Sequence, residues 1–345
     1  MKGKAPQKAE SKIDGKIYLV VIVAIVFAVA GFFTGKFIQG TSSENENNQE
    51  TEDHLTELRG GGYRYINPLL ECDNYRSSKG TKVTILQQKV QEYINEKLNE
   101  RSASIISIYF RDLNNGPWIG INENENYSPA SLLKVPVLIA VLKKAESDQG
   151  LLSRKILYER PVDEFTQNID DKQMIQTGNS YTVEDLLRRM IEHSDNEAKN
   201  LMFMQIGDEF FNKVVTDLGL FIPGYVTENF MSVRSYSSFF RILYNATYLN
   251  RELSEKALEI LSTTNYKDGI VSGLPKGVVV SHKFGERGYA DSNVKQLHDC
   301  GIVYPPSGAP YLLCVMTRGT DFKTQAKIIG DISSIVYKEL TETGQ

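Results

Sequence analysis

The residues best suited to chemistry in this chain form three short motifs, and the first pairs a hydroxyl with an amine. Ser131 and Lys134 stand three residues apart at the start of a predicted helix, where positions i and i+3 are neighbours. A serine becomes a nucleophile when a base takes its proton, and a lysine whose pKa is depressed by burial can do this. The pair therefore predicts nucleophilic serine chemistry. The simpler alternative is that Ser131 only caps a helix.

The same spacing occurs a second time, at Ser292 and Lys295. At ordinary residue frequencies a chain of this length contains about one such match by chance. The contexts differ, because Ser131 opens the apolar run SLLKVPVLIAVL, whereas Ser292 lies in a predicted turn before a strand. Context therefore favours Ser131.

Two further motifs follow along the chain. The tripeptide Ser194-Asp195-Asn196 lies between two predicted helices, either as a capping turn or as a second hydroxyl and an amide facing a cleft. Lys283-Phe284-Gly285-Glu286 lies at the end of a predicted strand. There Lys283 could act on the proton of Ser194 and attract a carboxylate, and Gly285 allows close backbone approach. The alternative is an ordinary edge strand whose lysine reaches solvent.

In this order S-x-x-K, S-D-N and K-x-G resemble the serine β-lactamase and penicillin-binding protein superfamily, and the flanking residues are most similar to class A β-lactamases. The resemblance extends from about Tyr63 to the C-terminus. It implies that Ser131 is a nucleophile that opens an amide and becomes acylated. It also implies that Lys134 is the general base, directly or through a water.

The resemblance implies roles for the other motif residues as well. Ser194 would pass a proton to the leaving nitrogen, Asn196 would orient the substrate amide, and Lys283 would tune Ser194 and attract a carboxylate. The oxyanion hole would consist of the backbone N–H groups of Ser131 and Glu286. The predicted substrate-binding residues are Asn196, Gly285, Glu286 and Arg287.

Two departures from the class A pattern limit what the resemblance implies. Phe284 stands where the family's K-[ST]-G motif has a carboxylate-binding hydroxyl, so Arg287 is the nearest replacement. The segment between Gly219 and Val233 is too short for the usual Ω-loop, and Glu228, its only carboxylate, lies too close to the following helix to match the deacylating glutamate. Loss of a general base typically costs about 10²–10⁴-fold. The alternatives are therefore a D-alanyl-D-alanine peptidase or a penicillin or muropeptide sensor that stays acylated.

Hydrophobic periodicity predicts the elements that must position these motifs. Two strands precede a block of helices, three strands follow it, and one helix stands at each end of the folded part. This is an α+β layout: an antiparallel five-stranded sheet covered by N- and C-terminal helices, with a helical second lobe. The predicted strands cover 105–111, 118–122, 278–284, 295–304 and 311–317, and the two terminal helices cover 81–101 and 321–340.

Composition excludes some classes of protein. The net charge of -4, from 39 basic and 43 acidic residues, argues against a nucleic-acid partner. The three cysteines exclude a disulfide-dense scaffold, although Cys300 and Cys314 flank a proline-rich turn and are either bonded or two separate core residues. The four histidines show no metal-ligand spacing, so we predict no metal site and no cofactor. A Ser-His-Asp triad through His298 and Asp299 stays possible in principle.

The N-terminal end differs from the rest of the chain. Lysines dominate residues 1–16, and Ile17–Gly35 contains no charge, which predicts a membrane-spanning helix with a cytoplasmic N-terminus. The alternative is a signal peptide cleaved after Ala28-Val29-Ala30. The predicted organisation is a cytoplasmic tail (1–16), a transmembrane anchor (17–39), a disordered stalk (40–62) and an extracytoplasmic catalytic domain (63–345). That domain has a sheet lobe (63–130 and 270–345) and a helical lobe (131–269). The expected partners are a β-lactam or peptidoglycan stem peptide and the membrane.

Overall fold

The five strands predicted from the sequence form one antiparallel sheet in a computed structural model of the chain. The structure describes residues 57–59, 61–72, 81–114, 116–161, 174–220, 229–289 and 291–342. The strands are β1 (Glu57–Arg59), β2 (Leu69–Cys72), β3 (Ile105–Asp112), β4 (Trp118–Ile121), β5 (Lys155–Leu157), β6 (Ser180–Thr182), β7 (Val279–Gly288), β8 (Lys295–Tyr304) and β9 (Tyr311–Gly319).

The order of the main sheet is β4-β3-β9-β8-β7. Strand β3 pairs with β9, so the two ends of the folded part share one sheet. Strand β7 is left at the edge, with one side of its backbone available to the helical lobe. The short pairs β1-β2 and β5-β6 stand apart from this sheet and were not predicted.

The helices lie where periodicity predicts them, with ends shifted by a few residues. They are α1 (Thr81–Asn99), α2 (Lys134–Ala145), α3 (Val183–Glu192), α4 (Asn196–Ile206), α5 (Asp208–Asp217), α6 (Val233–Asn245), α7 (Arg251–Leu261) and α8 (Phe322–Glu342). Two 3₁₀ turns, Ala130–Leu133 and Ile270–Gly273, were not predicted.

The predicted helix that starts at Ser131 is therefore divided in two. Ala130–Leu133, here called the Ser131 turn, is a 3₁₀ turn, and the α-helix begins only at Lys134. The reason is Pro136, whose ring would clash with the carbonyl of Leu132 if Pro136 lay inside a regular helix. In the first turn of α2 a proline is tolerated.

Two apolar cores lie on opposite faces of the sheet. One, between the sheet and the helical lobe, includes nearly every residue of α2, which is buried around its whole circumference. The other lies between the sheet and helices α1 and α8. Because α2 is fixed on all sides, it provides a rigid support for the residues at its start.

The N-terminal boundary of the folded part differs from the prediction. Strand β1 falls within the predicted stalk, yet Arg59 donates from Nη1 to the Asn67 carbonyl oxygen at 2.8 Å and to Asn245 Oδ1 at 3.0 Å. All described residues belong to the unit that starts at Asp53. The predicted tail and anchor lie outside the described residues, and no helix in the described part is long and apolar enough to cross a bilayer.

The cysteine alternatives are decided by strand register. Cys300 and Cys314 stand directly opposite each other on β8 and β9, with their α carbons 3.9 Å apart, and form a disulfide. Both are fully buried.

Candidate active site

The Ser131 turn packs against the edge strand β7. Ala130 has a φ of +47°, in the left-handed region, and the Leu132 N–H closes the turn on the Pro129 carbonyl oxygen at 2.9 Å. The residue at the N-cap of α2 is Leu133, and no side chain caps either the turn or the helix. The helix-capping interpretation of Ser131 is therefore wrong.

Lys134 is the centre of the site. Its Nζ lies 2.8 Å from Ser131 Oγ, 2.9 Å from Ser194 Oγ, 2.5 Å from the Ser194 carbonyl oxygen and 2.8 Å from Asn196 Oδ1. Burial, together with the charge of Lys283, lowers the pKa of Lys134 well below its ordinary value. The amine therefore contacts the hydroxyls of Ser131 and Ser194 together with two oxygens that can only accept, the Ser194 carbonyl oxygen and Asn196 Oδ1.

In the tripeptide Ser194-Asp195-Asn196, the predicted helix cap is formed by Asp195, and Ser194 and Asn196 contact Lys134. Asp195 caps α4, accepting from the Ala198 N–H at 3.0 Å, and its other oxygen accepts from the Ile175 N–H at 2.8 Å. Ser194 has a φ of +56°. This tight turn leaves Ser194 and Asn196 on either side of Asp195 in contact with Lys134.

Lys283 approaches Ser194 from the sheet. It lies in the middle of β7, not at its end as predicted, because β7 continues to Gly288. Its Nζ is 3.1 Å from Ser194 Oγ and donates to the Phe284 carbonyl oxygen at 3.0 Å. Lys283 is fully buried, so the solvent-reaching interpretation is wrong. Burial lowers its pKa to about 7.

Gly285 allows β7 to touch the Ser131 turn. A Cβ at this position would lie 2.8 Å from the Pro129 carbonyl oxygen, closer than real Cβ atoms come, and a tight 3.1 Å from the Leu132 nitrogen. The contact places the next residue, Glu286, beside the turn. Gly285 thus allows β7 to approach the Ser131 turn, and its predicted close approach to a substrate stays a prediction.

The remaining predicted residue, Arg287, is half-buried on β7. Side chains alternate along a strand, so Arg287 shares a face with Lys283 and Gly285. Its guanidinium carbon lies 5.3 Å from the Tyr289 ring centroid. Phe284, on the opposite face, stacks on Tyr266 with centroids 4.2 Å apart.

The structure does not support a Ser-His-Asp triad. His298 Nε2 lies 3.0 Å from the Ser128 carbonyl oxygen, and Asp299 Oδ1 lies 2.8 Å from His282 Nδ1, so neither is directed at Ser131. The second S-x-x-K serine, Ser292, is exposed in the turn before β8, as predicted. Glu228 lies outside the described residues.

Sequence reasoning missed two groups that hold the Ser131 turn. Tyr236 donates from its hydroxyl to the Leu132 carbonyl oxygen at 2.9 Å, and Gln296 accepts from the Ser128 N–H at 2.9 Å. Nothing in the sequence marks them, because their roles depend on contacts between residues more than 100 positions apart.

Comparison with known proteins agrees with this geometry. A family model described as Beta-lactamase enzyme family matches residues 86–340, well over half of the chain. The chain belongs to the β-lactamase enzyme family. Its identification from the three motifs is confirmed, as is the enzyme class of β-lactamase-type hydrolase.

Relatives within this family cover most of the folded part. A β-lactamase of Bacillus licheniformis is 26% identical over 267 residues, covering 72% of this chain and 83% of the relative. A β-lactamase of Phocaeicola vulgatus is 28% identical over 258 residues, covering 67% and 79%.

Solved structures confirm the fold class. A class A β-lactamase representative from Bacteroides cellulosilyticus has a TM-score of 0.65 at 21% identity, covering 74% of this chain and 98% of that one. PBP-A has a TM-score of 0.63 at 21% identity, covering 74% and 96%. A mutant of PBP-A, described as an acyl-enzyme complex with penicillin G, has a TM-score of 0.62 at 21% identity, with the same coverage.

Proposed function

We propose that this chain is a membrane-anchored serine hydrolase of the class A type, which opens a β-lactam or related amide through an acyl-enzyme on Ser131. The observation that carries the proposal is the 2.8 Å separation of Lys134 Nζ from Ser131 Oγ, with the amine buried and its pKa lowered. An amine whose pKa is lowered by burial and that touches a hydroxyl is suited to act as a general base on that nucleophile.

In the proposed acylation, Ser131 Oγ attacks the carbonyl carbon while its proton passes to Lys134 Nζ. The oxyanion forms at the backbone N–H groups of Ser131 and Glu286, and loss of one such donor typically costs about 10²–10³ in rate.

The C–N bond of the amide then breaks, leaving the acyl group as an ester on Ser131. Ser194 Oγ, within 3.1 Å of both lysine amines, passes a proton to the leaving nitrogen and regains one from Lys134. Asn196 orients the substrate amide, and Lys283 with Arg287 attracts its carboxylate.

Deacylation requires a base for the attacking water. Among the described residues, no carboxylate pairs with Ser131 or Lys134; the recorded partners of Lys134 are Ser131, Ser194 and Asn196. This favours slow release of the acyl group. The second candidate function is therefore D-alanyl-D-alanine peptidase activity on peptidoglycan, and the third is a penicillin or muropeptide sensor without turnover. PBP-A, a neighbour in fold, has an acyl-enzyme complex with penicillin G described for its mutant.

The proposal includes a location outside the cytoplasm, with an anchor at 17–39 or a cleaved signal peptide in its place. The lysine-rich start and the uncharged run after it support this. The Cys300–Cys314 disulfide adds support, because such bonds persist in oxidising compartments.

The test uses the full chain in detergent with a fluorescent penicillin, following protein label and loss of β-lactam together. We expect label on the wild type and none on Ser131→Ala. The matched control is Ser292→Ala, which changes the serine of the second S-x-x-K match and should label normally. Absence of label on the wild type, or equal label on Ser131→Ala, contradicts the proposal. Persistent label without β-lactam loss favours the peptidase or the sensor, and release of D-alanine from a D-Ala-D-Ala peptide separates those two.

A further inference from the structure

Ser128, three residues before Ser131, is held by two side chains of β8. Its N–H donates to Gln296 Oε1 at 2.9 Å, and its carbonyl oxygen lies 3.0 Å from His298 Nε2. Gln296 and His298 are two residues apart and so share one face of the strand. Both are buried, at 1% and 0% exposure. This pair of residues is here called the Ser128 clamp.

The partners fix the orientation of both clamp side chains. A carbonyl oxygen only accepts, so His298 Nε2 carries the proton, and burial lowers the pKa of His298 to about 3, which keeps the ring neutral. Gln296 uses its oxygen for Ser128, and its Nε2 donates to Asn229 Oδ1 at 2.9 Å and to the Tyr289 hydroxyl at 3.2 Å. A flipped amide would lose these bonds.

The clamp lies next to a strained piece of backbone. Ala130 is left-handed, a conformation that alanine adopts only where its surroundings enforce it. On the far side, Leu132 is tied by its N–H to Pro129 and by its carbonyl oxygen to Tyr236. Ser131 therefore stands between two fixed points, and the clamp supplies the upstream one.

We propose that Gln296 and His298 are positioning residues for acylation, an inference that rests on the proposed function. By holding Ser128 they keep Ala130 left-handed and Ser131 Oγ at the Lys134 amine. Neither touches a reacting atom. Without the clamp, Lys134 and Ser194 stay in place while Ser131 samples a wider range of positions. A 1 Å misplacement of a reacting group can lower the reaction rate about 10²-fold.

The main test is Gln296→Met in the full chain, a change that keeps the volume and removes the hydrogen bonds. We expect the acylation rate constant at saturating fluorescent penicillin to fall about ten- to a hundredfold, with the half-saturating concentration unchanged.

The matched control is Gln325→Met on α8. Gln325 is equally buried, accepts from Thr317 Oγ1 at 2.8 Å and donates to the Lys295 carbonyl oxygen at 3.3 Å, away from the Ser131 turn. It should lower the Tm by a similar amount without slowing acylation. Equal slowing by Gln325→Met would show general destabilisation and overturn the proposal.

Two further variants cover a failure of Gln296→Met to fold. His298→Phe keeps an aromatic ring against Tyr127 and loses the donor to Ser128, so it should slow acylation strongly. Asn229→Ala, at an exposed position, removes one of the two acceptors of Gln296 Nε2, leaves the Tyr289 hydroxyl, and should slow acylation less. Wild-type rates in both of these variants would overturn the proposal.

A fluorophosphonate probe separates this proposal from the proposed function, because it reports the reactivity of Ser131 without β-lactam recognition. If the wild type reacts with the fluorophosphonate but not with penicillin, the proposed function fails. The clamp is then tested by the rate of reaction of Ser131 with the fluorophosphonate. We expect Gln296→Met and His298→Phe to react more slowly than Gln325→Met and the wild type. Unchanged rates in Gln296→Met and His298→Phe would again overturn it.

Discussion

The two S-x-x-K segments of this chain share one sequence motif, but the lysine of one is buried in the fold and the serine of the other lies at the surface. At Ser131 and Lys134 the amine is buried and lies 2.8 Å from the hydroxyl. At Ser292 and Lys295 the serine is exposed, and the lysine ammonium lies 5.2 Å from the Phe322 ring centroid on α8. The first pair follows a turn into a helix, which makes residues three apart neighbours, whereas the second leads into a strand.

The difference lies in what surrounds each motif, and the proposed reactivity of Ser131 depends on those surroundings. Burial removes water from Lys134, and that desolvation is the first cause of its lowered pKa. The second lobe then adds Ser194 and Asn196 to complete the set of contacts. A motif on the surface has neither effect.

The largest expected effect comes from removing the buried amine. Lys134→Met keeps the length of the side chain and eliminates the base, so we expect acylation by fluorescent penicillin to slow about 10²–10⁴-fold. Lys295→Met is the matched change in the second segment and should leave the rate as in wild type. A rapid Lys134→Met enzyme would mean that another group takes the proton of Ser131.

A smaller effect is expected from disturbing the contact between Gly285 of β7 and the Ser131 turn. In Gly285→Ala the new methyl group would meet the Pro129 carbonyl oxygen and the Leu132 nitrogen, so the Ser131 turn must shift. We expect acylation to slow at least about tenfold, measured as the labelling rate. The control is Gly150→Ala, where the nearest atom to the new methyl is Asp148 Oδ1 at an ordinary 3.8 Å. Equal rates for Gly285→Ala and wild type would contradict this close approach.

The smallest expected effect concerns stability against pH. Lys283 loses its proton near pH 7 in the folded chain, whereas its ordinary pKa is 10.5. Between these values unfolding takes up a proton, so the free energy of unfolding should rise with pH. Urea denaturation from pH 7 to 9.5 measures this rise.

The control variants separate the buried lysine from the surface. Lys283→Met should flatten the rise, although Lys134 contributes in the same direction and leaves part of it. Lys295→Met should keep the full rise. A slope unaffected by Lys283→Met would show that Lys283 titrates outside this window.

Much of the fold was predictable because local pattern and global structure agree. The apolar periodicity of α1 buries one face of that helix, and the β-branched and aromatic run of β3 is buried on both faces, so their type was clear from the sequence. The beginning of α2 was not, because the Ser131 turn depends on Pro136 and on contacts with β7. Strand β1 was missed because its three residues carry too little pattern to distinguish them from a polar stalk.

The site was predictable as a list of residues and not as an arrangement. The three motifs identified Ser131, Lys134, Ser194, Asn196 and Lys283. In the structure Ser131, Ser194 and Asn196 contact the Lys134 amine, and Ser194 also contacts the Lys283 amine. The Ser128 clamp could not be predicted from the sequence. A glutamine and a histidine on a strand indicate no such role until the fold places that strand beside Ser128.

The sequence by itself determined the family and the fold class and named the candidate reacting groups, since these depend on residue type and on spacing along the chain. Tertiary structure alone decided which of the two S-x-x-K lysines is buried against its serine, whether Cys300 and Cys314 bond, and how Ser131 is held. The physical reason is that desolvation, strand register and strain arise from contacts between distant segments, such as the 60 residues that separate Lys134 from Ser194.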